Sequence, residues 1–172
     1  EILVDATTGD AESLTVERLA GDNSTVLGTG APAGIAGASG RSRSMRWYNP
    51  LPTAVSNQHI RIRTAGCAGG CAADDVYRVC AYETTHQIPR FNSSSTQVTV
   101  VIIQNPTSAS VTGNAYFWSV AGALLHQQPL ILAPDATTTI NTSSIPALVG
   151  RSGSVTITHD AGIAAAVAVA ED

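Results

Sequence analysis

Thr96-Gln97-Val98-Thr99-Val100-Val101-Ile102-Ile103-Gln104 is the stretch on which the fold turns. Val98, Val100 and Ile102 fall on one side of an extended chain, and Thr99, Val101 and Ile103 fall on the other. Both faces are rich in β-branched apolar residues, so the pattern predicts an interior strand covered on both sides. Asn105-Pro106-Thr107-Ser108 follows as a turn. Beyond it lie further extended segments at short, regular spacing: Ser110–Trp118, Ala123–Leu132, Thr137–Thr142, Ser154–His159 and Ile163–Ala170. Ala133-Pro134-Asp135 and Asp160-Ala161-Gly162 supply turns between them. Many short strands separated by turn residues predict an all-β chain, a sandwich or a barrel. Val155 and Ile157 alternate with Thr156 and Thr158, as in a half-exposed strand. Pro129 makes Ala123–Leu132 a bent or edge strand. Ile145–Val149 is the one place where a short helical turn is expected.

The last strand is unusual for its place in the chain. Ile163, Ala165, Val167 and Val169 share one face, with four alanines on the other. Burying Ile163, Val167 and Val169 is worth roughly 1.5–3 kcal/mol each, so this strand must be paired and covered, by its own chain or by a neighbour. Ile2-Leu3-Val4 is apolar in the same way and has no evident local partner. It is the better candidate for reaching into another subunit.

The first half is less regular. Ser13–Leu19, Ser24–Leu27, Arg43–Tyr48, His59–Thr64 and Val76–Glu83 read as strands, and the Gly/Ala/Pro-rich stretch from Gly28 to Gly40 reads as a loop. In His59–Thr64, Ile60 and Ile62 are expected toward the core, with Arg61 and Arg63 outward. Ile88–Ser95 reads as the joint between two lobes, residues 1–90 and 91–172.

Composition narrows the function. Apolar residues make up 44% of the chain, enough for a core, while charged residues make up 13% and the net charge is −4. That balance argues against generic nucleic-acid binding. All nine basic residues are Arg, so sheet edges lack the lysine that commonly protects them. No apolar segment of membrane-spanning length is present. A first residue of Glu suggests a removed leader or an excised piece.

Cys67-Ala68-Gly69-Gly70-Cys71 brackets a short loop whose glycines permit a tight turn. A local Cys67–Cys71 disulfide is the main expectation. A metal site would need four ligands, with Cys80 the one further thiol and no His at finger spacing. Neither a metal nor a cofactor is therefore expected. Cys80, mid-strand, reads as a small buried hydrophobe. His59, His86, His126 and His159 are scattered, and no nucleophile elbow, zinc-protease motif or P-loop occurs. The chain is therefore read as a non-enzyme.

Arg41, Arg43 and Arg46, with Arg61 and Arg63, form a candidate cationic face for a neighbouring subunit or an anionic polysaccharide. Asp10, Glu12, Glu17 and Asp22 are a possible complement. Tyr116 and Trp118 share a strand face, and Trp47-Tyr48 is a second aromatic pair on which a sugar could stack. Asn-x-Ser/Thr sequons begin at Asn23, Asn92 and Asn141.

Several of these segments carry a resemblance. Ile60-Arg61-Ile62-Arg63, Cys67 and Cys71, Asp74-Asp75-Val76-Tyr77-Arg78-Val79 and Tyr82-Glu83-Thr84-Thr85 belong to it. So do Val98–Gln104, Asn105-Pro106, Tyr116-Phe117-Trp118, Leu132-Ala133-Pro134 and Ser154–Asp160. Over roughly residues 45–165 the chain resembles a family of secreted bacterial β-repeat proteins whose first lobe is similar to the pre-peptidase C-terminal domain. The resemblance implies two small antiparallel β-sandwich lobes, the first jelly-roll-like and the second Ig-like. It also implies secretion to the cell surface and a structural or accessory role, and it supplies no catalytic residues. The functional expectation is a non-catalytic extracellular module that self-associates into a filament or fibre through strand or sheet contacts. A polysaccharide- or cell-wall-binding accessory domain is the alternative. Assembly residues are expected among Ile2, Leu3, Val4, Ile163, Val167 and Val169.

Overall fold

The computed structural model describes residues 1–6, 14–33, 41–64, 77–160 and 164–171, the last segment through its backbone pairing. The chain is all-β and its sheets are antiparallel. Its strands are β1 (Ile2–Ala6), β2 (Leu14–Leu19), β3 (Val26–Thr29), β4 (Ala31–Pro32), β5 (Arg43–Met45), β6 (His59–Thr64) and β7 (Tyr77–Ala81). They continue as β8 (His86–Ser93), β9 (Gln97–Gln104), β10 (Val111–Ser119), β11 (Leu124–Leu132), β12 (Thr137–Asn141), β13 (Arg151–His159) and β14 (Ala164–Glu171). A 3-10 turn, Thr142–Ser144, is capped by the Asn141 side chain, which accepts from the Ser143 N–H.

Two compact units divide the chain. One comprises Glu1–Arg46 and Ala54–Glu83, the other Trp47–Thr53 and Thr84–Asp172. The expected division at 90/91 therefore does not hold. Residues 86–93, which include most of the expected joint, form β8, paired with β13 from Ile157↔His86 to Arg151↔Ser93. Pro89 and a run of serines disguise this strand in the sequence, because Pro donates no ladder hydrogen bond. The strand nevertheless buries Ile88 and Phe91.

In the second unit the sheet path runs β11-β10-β13-β8-β9-β12, with β14 on β9. The β8–β9 link is one residue pair, Ser93↔Val98, so the path folds over at that point. One layer is β11-β10-β13-β8 and the other is β12-β9-β14, a sandwich-like arrangement. The core draws on both layers, with Phe91, Ala115, Phe117, Val155 and Ile157 from the first and Val101, Ile103 and Ile140 from the second. Phe91 and Phe117 meet edge to face with ring centroids 5.5 Å apart. As its composition predicts, β9 is interior. Its residues 97–104 pair with β14, and its residues 100–104 pair with β12.

Close approach fixes the glycines here. A Cβ on Gly153 would lie 1.8 Å from the Trp118 carbonyl oxygen, and one on Gly113 would lie 2.2 Å from that of Thr158. Asn105, fully buried, ties the turns together. Its Nδ2 donates to the carbonyls of Ala109 at 2.7 Å and Ala133 at 2.9 Å, and its Oδ1 accepts from the Thr107 N–H at 3.0 Å.

In the first unit the sheets are β4-β5-β1-β7 and β3-β2-β6. The core is Leu3, Val4, Leu14, Val16, Leu19 and Met45. Ile60 and Ile62 take the same side as Val16 by register. Contrary to expectation, Ile60 is 36% exposed and Ile62 is half-buried. β4 lies within the stretch expected as loop.

Candidate functional site

The features on which an assembly contact depends are the sheet edges. β1 is not one of them. Ile2-Leu3-Val4 pairs with β5 on one side and β7 on the other, and Leu3 and Val4 are buried. The expectation that this segment reaches into a neighbour is overturned, because both of its hydrogen-bonding edges are already occupied. At the other end of the chain, β14 pairs with β9 of its own chain in eight successive positions, from Ala164↔Gln104 to Glu171↔Gln97. Val167 is set opposite Val101, and Val169 opposite Thr99. Ile163 lies outside the described residues.

Most edges carry a blunting feature of the kind that suppresses strand addition. β4 has two residues, and β3 has four with a register shift against β2. β6 carries His59, Arg61 and Arg63, and β7 carries Arg78. β8 and β11 are interrupted by Pro89 and Pro129, and β11 also has a register shift against β10. β12 has five residues and runs into the 3-10 turn. β14 has eight residues, an unbroken register, no Pro and no charge before Glu171. Among the described residues no strand pairs with its other edge.

The arginines do not form the free cationic face that was expected. Arg46 pairs with Glu1. Arg61 Nε donates to Glu17 Oε2 at 2.7 Å, and Arg63 Nε lies 3.9 Å from the same oxygen. The Arg61 hydrogen bond, above all, holds the Glu17 carboxyl below its ordinary range. Arg43 donates to the carbonyls of Ser42 at 3.0 Å and Arg41 at 3.4 Å, while Arg41 itself is exposed. Arg78, not anticipated at all, donates to the buried Asp5 carboxylate at 3.1 Å, and Ser42 donates to the same carboxylate. Asp22 is a local turn acceptor for the Ser24 and Thr25 N–H groups, and with the Thr25 hydroxyl these hold its carboxyl well below the usual range. Asp10 and Glu12 lie outside the described residues.

Tyr116 and Trp118 share one sheet face, and the 47–53 segment reaches Tyr116 through Asn49. Tyr116 and Trp118 alternate with the core residues Ala115 and Phe117, and their ring centroids are 6.0 Å apart. Trp118 Nε1 donates to Thr156 Oγ1 at 3.1 Å. Trp47–Thr53 belongs to this same unit. Tyr116 Oη donates to the Asn49 carbonyl at 3.2 Å, and Gln127 Nε2 to Asn114 Oδ1 at 3.0 Å. Tyr116 is consequently 2% exposed, and burial pushes its hydroxyl above the ordinary range. Asn49-Pro50 repeats the device of Asn105-Pro106. In each, the Asn Oδ1 accepts from the N–H two residues on, as an Asx turn requires. Trp47, Tyr48 and Trp118 remain half-buried.

Two of the scattered histidines meet. His86 and His159 stack with centroids 5.3 Å apart, and His159 Nε2 lies 2.8 Å from the Thr84 carbonyl. No sequence signal links positions 73 residues apart. Their neighbour Asp160 accepts from the Thr112 N–H and hydroxyl at 2.9 and 2.6 Å. Cys80 is a half-buried thiol that raises the Tyr82 hydroxyl through a hydrogen bond. Cys67 and Cys71, the expected disulfide, lie outside the described residues.

Comparison with protein-family models, with curated proteins and with solved structures gave no match.

Proposed function

We propose that the chain is a non-catalytic extracellular structural module that associates with copies of itself through a sheet edge. The observation that carries this reading is β14, which combines eight residues in unbroken register with no blunting feature and, among the described residues, no strand on its other edge. A long apolar edge of this kind templates pairing with another strand. Extracellular placement is supported by the resemblance to secreted β-repeat proteins. The structural reading is supported by the use made of the titratable groups. Glu1, Asp5 and Glu17 are held by arginines, Asp160 holds Thr112, and His159 holds Thr84. Sedimentation velocity and electron microscopy across a wide concentration range test the proposal. Concentration-dependent growth in mass is expected, and a monomer throughout overturns it.

A second reading rests on the half-buried aromatics Trp47, Tyr48 and Trp118, all of one unit, against which sugar rings could stack. Because Tyr116 is covered, Trp118 and Trp47 would have to carry it. Binding on a glycan array that is lost in Trp118→Ala supports this reading, and no binding to any glycan retires it.

A further inference from the structure

We propose that β14 pairs with β14 of a second copy, antiparallel, about a two-fold axis through Ala168. This rests on the self-association reading above and names its contact. The sequence of the strand supplies the argument for a copy of itself as the occupant. Ala166-Val167-Ala168-Val169-Ala170 reads identically in both directions. Antiparallel pairing about Ala168 therefore sets Val167 opposite Val169 of the partner subunit and Ala166 opposite Ala170 of the partner subunit. Directly opposed residues in an antiparallel pair share a sheet face. Against β9, Val167 already lies opposite the fully buried Val101. By register, the valine positions of the two copies fall on the sheet face that also carries Val101 and Thr99. A slip of one residue would set valines against the other face, which is how a half-buried sheet specifies its register.

Charge selects the direction. Antiparallel pairing brings Glu171 opposite Ala165 of the partner subunit, whereas parallel pairing would stack Glu171 on its own copy, a like-charge opposition that destabilises a sheet. The product is a continuous six-stranded layer, β12-β9-β14 followed by the same three strands in reverse. An isologous contact of this kind closes as a dimer, so growth into a fibre needs a second contact elsewhere. Two eight-residue edges form a contact below the standard interface size, and association is expected to be weak and reversible.

Hydrogen exchange on the unmodified full chain tests the contact without any substitution. Raising the concentration should slow exchange at residues 164–171 by about tenfold or more while the amides of β7 and β11 stay unchanged. Geometry is read by disulfide cross-linking of Ala168→Cys, Ala166→Cys and Ala170→Cys, each scored against the parent chain. Opposed Cα atoms about 5 Å apart can be bridged. At Ala170→Cys the two copies lie about 13 Å apart at ~3.3 Å per residue, beyond reach. Cross-linking of Ala168→Cys alone supports the two-fold pairing, and equal cross-linking at all three positions overturns it in favour of parallel strands. Association with no change in exchange at 164–171 overturns β14 as the contact and leaves the self-association reading standing. A monomer at every concentration overturns both.

Discussion

The two units use the same element, the short antiparallel strand, with different interactions holding it. In the second unit, two layers interdigitate around Phe91, Phe117, Val101, Ile103, Val155 and Ile157, and its polar groups serve mainly to close turns, as Asn105 does. In the first unit the core is smaller, and carboxylates fasten arginines across neighbouring strands: Glu1 to Arg46, Glu17 to Arg61, and Asp5 to Arg78. Apolar burial is not weakened by charge screening, whereas exposed ion pairs are screened and contribute little individually. The contrast therefore concerns which conditions each unit withstands as well as how stable each is.

The largest expected effect is in the second unit. Phe117→Ala removes a fully buried ring that touches Phe91 and should cost about 3–5 kcal/mol in denaturant unfolding. A cost under about 1 kcal/mol would mean that the two layers are not packed as described. Asp5→Ala is the matching substitution in the first unit. It deprives Arg78 of its charged partner and Ser42 of its acceptor, with an expected loss of about 1.5–3 kcal/mol. Asn105→Ala should cost about 1–3 kcal/mol, since the carbonyls of Ala109, Leu132 and Ala133 lose their donor together, and it should act on the second unit alone.

Acid should separate the units more cleanly than any substitution. The Glu17 carboxyl is held below its ordinary range in the folded chain. Its contribution is therefore present above the ordinary carboxylate range and lost as the pH falls through the lowered value. Hydrogen exchange followed downward from neutral pH should show β2 and β6 opening before β10 and β13. Simultaneous opening would remove the distinction. Salt near 1 M, where the Debye length is about 3 Å, should give the smallest effect, a modest loss of protection confined to β2 and β6.

The sequence pattern reveals those parts of the fold that rest on local alternation. Thr96–Gln104 is interior because both of its faces are apolar. His59–Thr64 and Thr137–Asn141 come out close to their expected bounds because turn residues flank them. β8 escapes because Pro89 and Ser93-Ser94-Ser95 carry turn chemistry, while its pairing with β13 depends on residues 58 to 71 positions away. The same limit applies to the candidate site. The apolar alternation of β14 is plain in the sequence, but which edges are open is a property of topology. The arginines were identifiable as a group, yet nothing local shows that Glu17 stands between Arg61 and Arg63, or that Asp5 awaits Arg78. Tyr116 shows the problem most sharply, because its cover comes from Asn49, 67 residues earlier.

Trp47–Thr53 bears on how this molecule can be cut. The backbone passes from one unit to the other after Arg46, returns after Thr53 and crosses again after Glu83, so no single peptide bond separates the two. A fragment beginning at Thr84 would contain every strand of the larger sandwich and still lack the cover over Tyr116. The larger unit is discontinuous in the chain, and the shortest contiguous piece that holds all of it, Trp47–Asp172, carries Ala54–Glu83 of the other unit with it.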